Sequence, residues 1–178
     1  RVEKAIDKKE QIIVYSDYDV DGITAGAILW ETLDSLGAKV MPYVPNRMNE
    51  GYGMSKKGID NLLTKYPDAK LIITVDHGIT AVEQTAFAKE KGLHVVITDH
   101  HTIGSELPSA DAIIHTTKLA GSGVSLLFSL KILKYLKSLK ALDKEHLALA
   151  ALGTIADLVP LVGPNRVIAK FGLEALNI

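Results

Sequence analysis

The stretch QIIVYSDYDVDGITAGAILWETLDSLG, residues 11–37, decides how the rest of the chain is read. Gln11–Ser16 is short, apolar and β-branched, the pattern of a buried strand. Beyond it, Ala25, Ile28, Leu29, Thr32, Leu33 and Leu36 share one face of a helix over residues 23–36, which Gly37 stops. Between strand and helix stand Asp17, Asp19 and Asp21 at alternate positions, followed by Gly22.

Three alternate carboxylates and a glycine also open an EF-hand calcium loop. That loop needs a bidentate Glu at its twelfth position and a helix on each side. Counted from Asp17, the twelfth residue is Ile28, and the preceding element reads as a strand. The EF-hand is excluded, and the carboxylates belong to a strand-to-helix turn.

The same arrangement recurs twice. AKLIITV (69–75) runs into Asp76, and LHVVIT (93–98) runs into Asp99, His100 and His101. Helical patterns over residues 54–65 and 80–91 separate these strands. Shorter strand patterns follow at 39–45 and 111–115. Alternating β and α units predict an α/β fold, a mainly parallel β-sheet with helices on both faces. In such sheets ligands gather beyond the carboxyl ends of the strands, where these Asp and His residues lie. Residues 123–140 and 144–161 carry two further helical patterns joined by a polar link at Asp143, so the C-terminal third is helical. Lys131, Lys134, Lys137 and Lys140 recur every three residues. They read as a solvated face over a Leu-rich one, with a phosphate-contacting stripe as the alternative.

Composition narrows the function classes. The 178 residues, 47% hydrophobic and 23% charged, suit one compact domain. No stretch approaches the roughly 18–20 apolar residues of a membrane span, and no secretory segment is recognisable. Because the chain opens with Arg1 rather than Met, it is expected to be a piece of a longer protein. The absence of cysteine excludes disulfides, thiolate metal sites and Cys nucleophiles, and makes cytoplasm the expected compartment. A net charge of −1 supplies no bulk attraction to nucleic acid, so such binding must use local patches or metal.

If the sheet forms in this way, Asp17, Asp19, Asp76, His100 and Asp157 meet in one crevice. Clustered carboxylates repel one another in a partly desolvated site. No Lys or Arg lies beside the acidic turns in the sequence, so a divalent cation is the economical partner. Oxygen ligands with one or two imidazoles suit Mn²⁺ or Mg²⁺, with iron or zinc behind them. Two ions about 4 Å apart would serve a phosphoester displacement. Taken singly, each residue has a plainer reading. Asp76 could be a turn or cap residue, and His100 and His101 a solvated pair. Asp157, within apolar LGTIADLVPL, is the hardest to place without a partner.

The ordered set SDYDVDG (16–22), VDHG (75–78), TDHH (98–101) and ALGTIADLVPL (151–161) resembles the four motifs of the DHH phosphoesterase superfamily. PNRMNEGYG (45–53) and LAGSGVSLLFSL (119–130) resemble stretches of its RecJ-type branch, the single-strand-specific exonucleases, while HTTK (115–118) stands where that branch tends to have an Asn-Pro turn. The resemblance implies a DHH catalytic domain over residues 1–178, with a substrate-gripping domain elsewhere in the protein. It implies two ions, Mn²⁺ or Mg²⁺, with Asp17 on the first, Asp19 on the second and Asp76 bridging. His100 and Asp157 complete the ligands of the second ion. His101 faces the scissile phosphate as a catalytic group beside Asp76. Asp21 and Asp99 orient ligands and backbone, and Arg47, Gly121 and Gly123 contact substrate phosphate. For Arg47 the alternative is a surface ion pair with Glu50; for the glycines it is a tight turn. The implied activity is 5′-to-3′ hydrolysis of single-stranded DNA in repair and recombination, with single-strand-binding protein and repair helicases as partners and no membrane. The alternatives are a phosphodiesterase for oligoribonucleotides, cyclic dinucleotides or pyrophosphate, and a non-catalytic nucleic-acid scaffold.

Overall fold

A computed structural model describes residues 1–176. Five strands, β1 (Gln11–Ser16), β2 (Val40–Tyr43), β3 (Ala69–Val75), β4 (His94–Asp99) and β5 (Ala112–His115), form one parallel sheet in the order β2-β1-β3-β4-β5. The apolar runs that predicted β1, β3 and β4 are buried on both faces, as central parallel strands require.

Alternation along each strand divides the core in two. Ile12, Val14, Leu71, Ile73 and Val75 face α2 (Val20–Ser35), α6 (Gly121–Tyr135) and α1 (Val2–Asp7). Ile13, Tyr15, Ile72, Val95 and Ile97 face the opposite layer, where α4 (Lys56–Lys65) and α5 (Val82–Glu90) lie. A third cluster joins Ile28 of α2 and Val124 of α6 to α7 (Lys144–Ala156) and α8 (Gly163–Leu176), forming the helical C-terminal third. Ile73 is fully buried, so Ile73→Ala should cost about 3–4 kcal/mol. Leu139→Ala, at a fully exposed position, should stay within about 0.5 kcal/mol. Urea denaturation of both variants checks the contrast.

The strand order places the site. From β1 the chain moves outward to β2, then crosses back to β3 on the other side of β1. Helices on the two connections therefore leave toward opposite faces, and a crevice opens beyond the carboxyl ends of β1 and β3. Asp17 follows β1 and Asp76 follows β3.

Several element boundaries differ from the expectation. Helix α2 begins at Val20, because Asp19 caps it, so Asp21 lies in its first turn. The helix expected over 123–140 ends at Tyr135, and Lys137 adopts a left-handed backbone at φ 50°. The helix expected over 144–161 ends at Ala156, with Asp157 as its C-cap and Leu158 at φ 59°. Helices α1, α8 and the single turn α3 (Arg47–Glu50) are not evident in the sequence pattern. The four lysines at 131, 134, 137 and 140 are exposed, as a solvated face demands.

Candidate metal centre

The first ligand group is built by the β1–α2 turn. Asp17 is fully buried and its Oδ1 accepts from the Tyr18 amide at 2.7 Å. Asp19 accepts from the Gly22 amide at 2.8 Å, capping α2 in the usual N-cap manner. Gly22 is required by close approach, since a Cβ there would stand 2.6 Å from the Asp17 Cβ. Asp76, from the end of β3, completes a set whose ligand atoms all lie within 4.8 Å of one another: Asp17, Asp19 and Asp76.

The second group comes from β4 and α7. His100 Nε2 lies 3.1 Å from Asp76 Oδ1 and 3.6 Å from Asp157 Oδ2. Asp76 and His100 thus stand between the Asp17–Asp19 pair and Asp157. All five residues expected as ligands are brought to one crevice, with Asp17, Asp19 and Asp76 in one three-residue group.

Asp21 has a definite structural task. Its two oxygens accept from the Gly121 amide at 2.5 Å and the Ser122 amide at 2.9 Å, capping α6 from a hundred residues away. Helix α6 needs this, because its own N-cap, Ala120, has no side chain to supply an acceptor. The expectation that Gly121 offers its N–H to a phosphate is therefore corrected: Asp21 takes that N–H. Gly121 is small for another reason, since a Cβ there would collide with the Asp76 carboxylate. Gly123 is buried, and a Cβ on it would meet Leu119 and Ile168, apolar neighbours rather than an open crevice.

Asp99 organises the β4 end. One oxygen accepts from the His100 amide at 2.6 Å, the His101 amide at 3.0 Å and His101 Nδ1 at 2.8 Å; the other accepts from the Ile79 amide at 2.8 Å. Burial pushes its carboxyl up, but these hydrogen bonds outweigh burial and hold it down at about 2. The bond from Asp99 in turn raises His101 above the ordinary imidazole value. His101 is the exposed member of the histidine pair.

Electrostatics show what the crevice lacks. Burial, then Asp21 and Asp19, raise Asp76 to about 10. Burial likewise raises Asp17 and Asp157. Asp17 Oδ2, Asp76 Oδ1 and His100 Nε2 are buried without hydrogen-bond partners, and Asp76 lies in reach of Asp17 in one three-residue group and of His100 in another. Among the described residues, none of these carboxylates pairs with Lys or Arg; their close basic neighbour is His100. Buried acceptors left in this state are costly unless a cation satisfies them. The donor set of four carboxylates and one imidazole fits hard divalent ions of the Mn²⁺ or Mg²⁺ kind.

Four supporting residues escape a reading of the sequence. His77 is buried, and its Nε2 donates to the Tyr15 carbonyl at 2.9 Å, tying the β3 end to β1. Burial lowers its pKa to about 4, so it is neutral at pH 7. His115 Nε2 donates to the His101 carbonyl at 2.7 Å. Tyr18 lies beneath Arg47, whose Cζ sits 5.2 Å from the ring centre. Tyr52 reaches His101, with its hydroxyl 3.4 Å from Nε2. The available signal for Tyr52 is an aromatic residue between two glycines in a polar loop.

Arg47 does not form the alternative ion pair with Glu50. Glu50 instead accepts from the Tyr43 hydroxyl at 2.9 Å and from Asn61 Nδ2 at 2.7 Å, anchoring the 46–53 segment to β2 and α4. Arg47 is left exposed at the crevice side of that segment, stacked on Tyr18.

Comparison with known proteins identifies the family. Residues 11–154 match the DHH family, N-terminal domain. The chain is 44% identical to the single-stranded-DNA-specific exonuclease RecJ of Bacillus subtilis, over 99% of this chain and 23% of that protein. It is 38% identical to the RecJ of Thermus thermophilus, over 98% of this chain and 26% of that protein. A crystal structure of exonuclease RecJ bound to manganese superposes with a TM-score of 0.87 at 37% identity, covering 97% of this chain and 45% of that one. A crystal structure of the Thermus thermophilus RecJ in complex with Mn²⁺ superposes with a TM-score of 0.82 at 34% identity, covering 97% of this chain and 25% of that one. The chain spans about a quarter of the length of these two curated relatives.

Proposed function

The chain belongs to the DHH family, with homology to RecJ over nearly all of its length, and from that premise we propose that it is the catalytic domain of a metal-dependent exonuclease that hydrolyses single-stranded DNA. One observation carries the reading: three buried polar atoms, on Asp17, Asp76 and His100, lack hydrogen-bond partners, and Asp76 is in reach of both of the others.

Asp17, Asp19, Asp76, His100 and Asp157 would hold two divalent cations, Mn²⁺ or Mg²⁺, and Asp76 is the carboxylate in reach of both the Asp17–Asp19 pair and His100. Bound there, the ions would supply Lewis-acid neutralisation of phosphate charge and the acidity that readies a water for attack. The remaining roles belong to side chains. Asp99 accepts the Nδ1 hydrogen of His101, which leaves Nε2 turned outward for the scissile phosphate. A protonated Nε2 there stabilises the charge that builds on phosphate oxygens or passes a proton to the leaving oxygen. Arg47, held flat on Tyr18, presents a planar fork to a backbone phosphate. Asp21 keeps α6 seated so that Gly121 lets the Asp76 carboxylate stand close. The enzyme would act 5′ to 3′ on repair and recombination intermediates in the cytoplasm, alongside single-strand-binding protein and helicases.

The test uses the full-length protein with Mn²⁺ and a 5′-labelled single strand, its duplex form and a cyclic dinucleotide. Stepwise release of mononucleotides from the single strand is expected. Faster turnover of the cyclic dinucleotide, or strand binding without turnover under any metal, would overturn the assignment. A second variant probes the 46–53 segment. Glu50→Ala removes the anchor to Tyr43 and Asn61, so Arg47 loses its fixed position. KM for the strand should rise about tenfold with a smaller change in kcat, the pattern of lost substrate positioning.

A further inference from the structure

Tyr52 stands where the exposed 46–53 segment meets the crevice. Its ring lies edge-on to His101, with centroids 6.5 Å apart at 88°, and edge-on to Tyr18, 6.2 Å away at 89°. Its hydroxyl is 3.4 Å from His101 Nε2, while Asp99 takes Nδ1 of the same imidazole at 2.8 Å. The imidazole is thus contacted at both nitrogens, by groups with different capacities.

Ionised Asp99 can only accept, so Nδ1 carries a hydrogen and Nε2 is the nitrogen that faces substrate. A phenol differs from a carboxylate in that it donates to a bare ring nitrogen and accepts from a protonated one. The Asp17 carboxylate lies against the same hydroxyl, so the phenol accepts from a protonated Nε2 while its one hydrogen turns to Asp17, and donates to Nε2 when that nitrogen is bare. Tyr52 is not a loose surface tyrosine, despite a residue exposure of 57%. Packing on Tyr18 and the Glu50 anchor two residues earlier set its place.

We propose that Tyr52 is a positioning residue for His101, its hydroxyl holding Nε2 aimed into the crevice until a phosphate oxygen takes its place. This rests on the function proposed above, because a phosphate must arrive to displace the phenol. The contact places part of the catalytic geometry on the 46–53 segment, which also carries Arg47. A substrate phosphate that engages Arg47 would then bear on the same segment that orients His101.

Tyr52→Phe keeps both edge contacts and removes only the hydroxyl; Tyr52→Leu removes the ring as well. In the full-length protein, Tyr52→Phe should lower kcat on a 5′-phosphorylated single strand about tenfold while KM stays within about twofold. Tyr52→Leu should raise KM in addition. A second readout needs no turnover. Carbethoxylation of His101 by diethyl pyrocarbonate in metal-free protein, followed by peptide mass spectrometry, should be about fivefold faster in Tyr52→Phe, the rate counterpart of one ordinary hydrogen bond. Parental kcat in Tyr52→Phe would overturn the proposal, as would lost kcat with unchanged labelling of His101. If the parent protein itself fails to cleave, the proposed function fails separately. The labelling rate then still decides whether Tyr52 holds Nε2: a faster rate upholds the contact and an unchanged one removes it.

Discussion

Asp76→Asn is expected to lower strand cleavage by about 10³-fold or more, some 4 kcal/mol of transition-state stabilisation, and to make the metal-free protein more stable. The first effect follows because Asp76 is the carboxylate in reach of both ligand groups, Asp17–Asp19 and His100. The second follows from charge. In the metal-free state, burial and then Asp21 and Asp19 raise its pKa to about 10, against an ordinary carboxyl value near 4. A carboxyl with a raised folded pKa contributes stability that is full below about pH 4 and is lost as pH rises toward 10. At pH 8 the metal-free protein therefore carries an unfavourable buried acid, and replacing it by the neutral amide should gain on the order of 2 kcal/mol.

Asparagine is the informative substitution, because Asp76 sits at φ 67°. Asn tolerates that left-handed backbone nearly as well as Asp, whereas Ala adds strain that would obscure the charge effect. Denaturation midpoints of the two proteins at pH 8, with and without Mn²⁺, check the prediction. Adding Mn²⁺ should stabilise the parent strongly and Asp76→Asn little. A metal-free Asp76→Asn protein less stable than the parent would show that the acidic cluster carries no repulsion.

Gly121→Ala is expected to cost activity at low metal by about 10- to 100-fold, from a residue that touches no substrate. A Cβ at this position collides with the Asp76 carboxylate, and the amide beside it is the one that Asp21 caps. Either Asp76 swings away from His100 or α6 backs off from Asp21. Both outcomes spread the ligands. Loss of one well-placed ligand or its support typically costs 10- to 100-fold in metal affinity. The concentration of Mn²⁺ needed for half-maximal activity should rise by about that factor, and cleavage at low metal should fall with it. Gly37→Ala serves as the comparison: a Cβ at Gly37 meets nothing, and its φ of 76° costs only local backbone strain. That variant should lose about 1 kcal/mol of stability and leave the metal requirement unchanged. If Gly121→Ala keeps the parental Mn²⁺ dependence, the close approach to Asp76 is not what its smallness serves.

Local pattern made much of this legible. The apolar runs at 11–16, 69–75 and 93–98 became central parallel strands because both sheet faces are covered, so nothing polar is needed along them. Asp17, Asp76 and Asp99 appear as abrupt polar residues at the ends of such runs. Helix ends were less legible. Tyr135 and Ala156 close their helices through residues at positive φ, Lys137 and Leu158, that carry no glycine signature. Helix α8 begins with Gly163 and Pro164, which read as a loop, yet Ile168, Ala169 and Gly172 are buried along one side of it.

The sequence by itself determined the sheet, its polarity and the set of side chains at its carboxyl ends, because strand periodicity and turn chemistry are local properties. It did not determine which of those side chains binds and which braces. Asp21 and Asp19 are two residues apart in the same turn. One, buried, caps a helix a hundred positions downstream, and the other, exposed, caps its own helix at the rim of the crevice. Glu50 lies beside Arg47 in sequence but bonds to Tyr43 and Asn61 in space. Tyr52 meets His101 from forty-nine residues away. A carboxylate, phenol or imidazole takes its role from the partner that reaches it first, and those partners are supplied only when α6, α7 and the 46–53 segment close around the sheet.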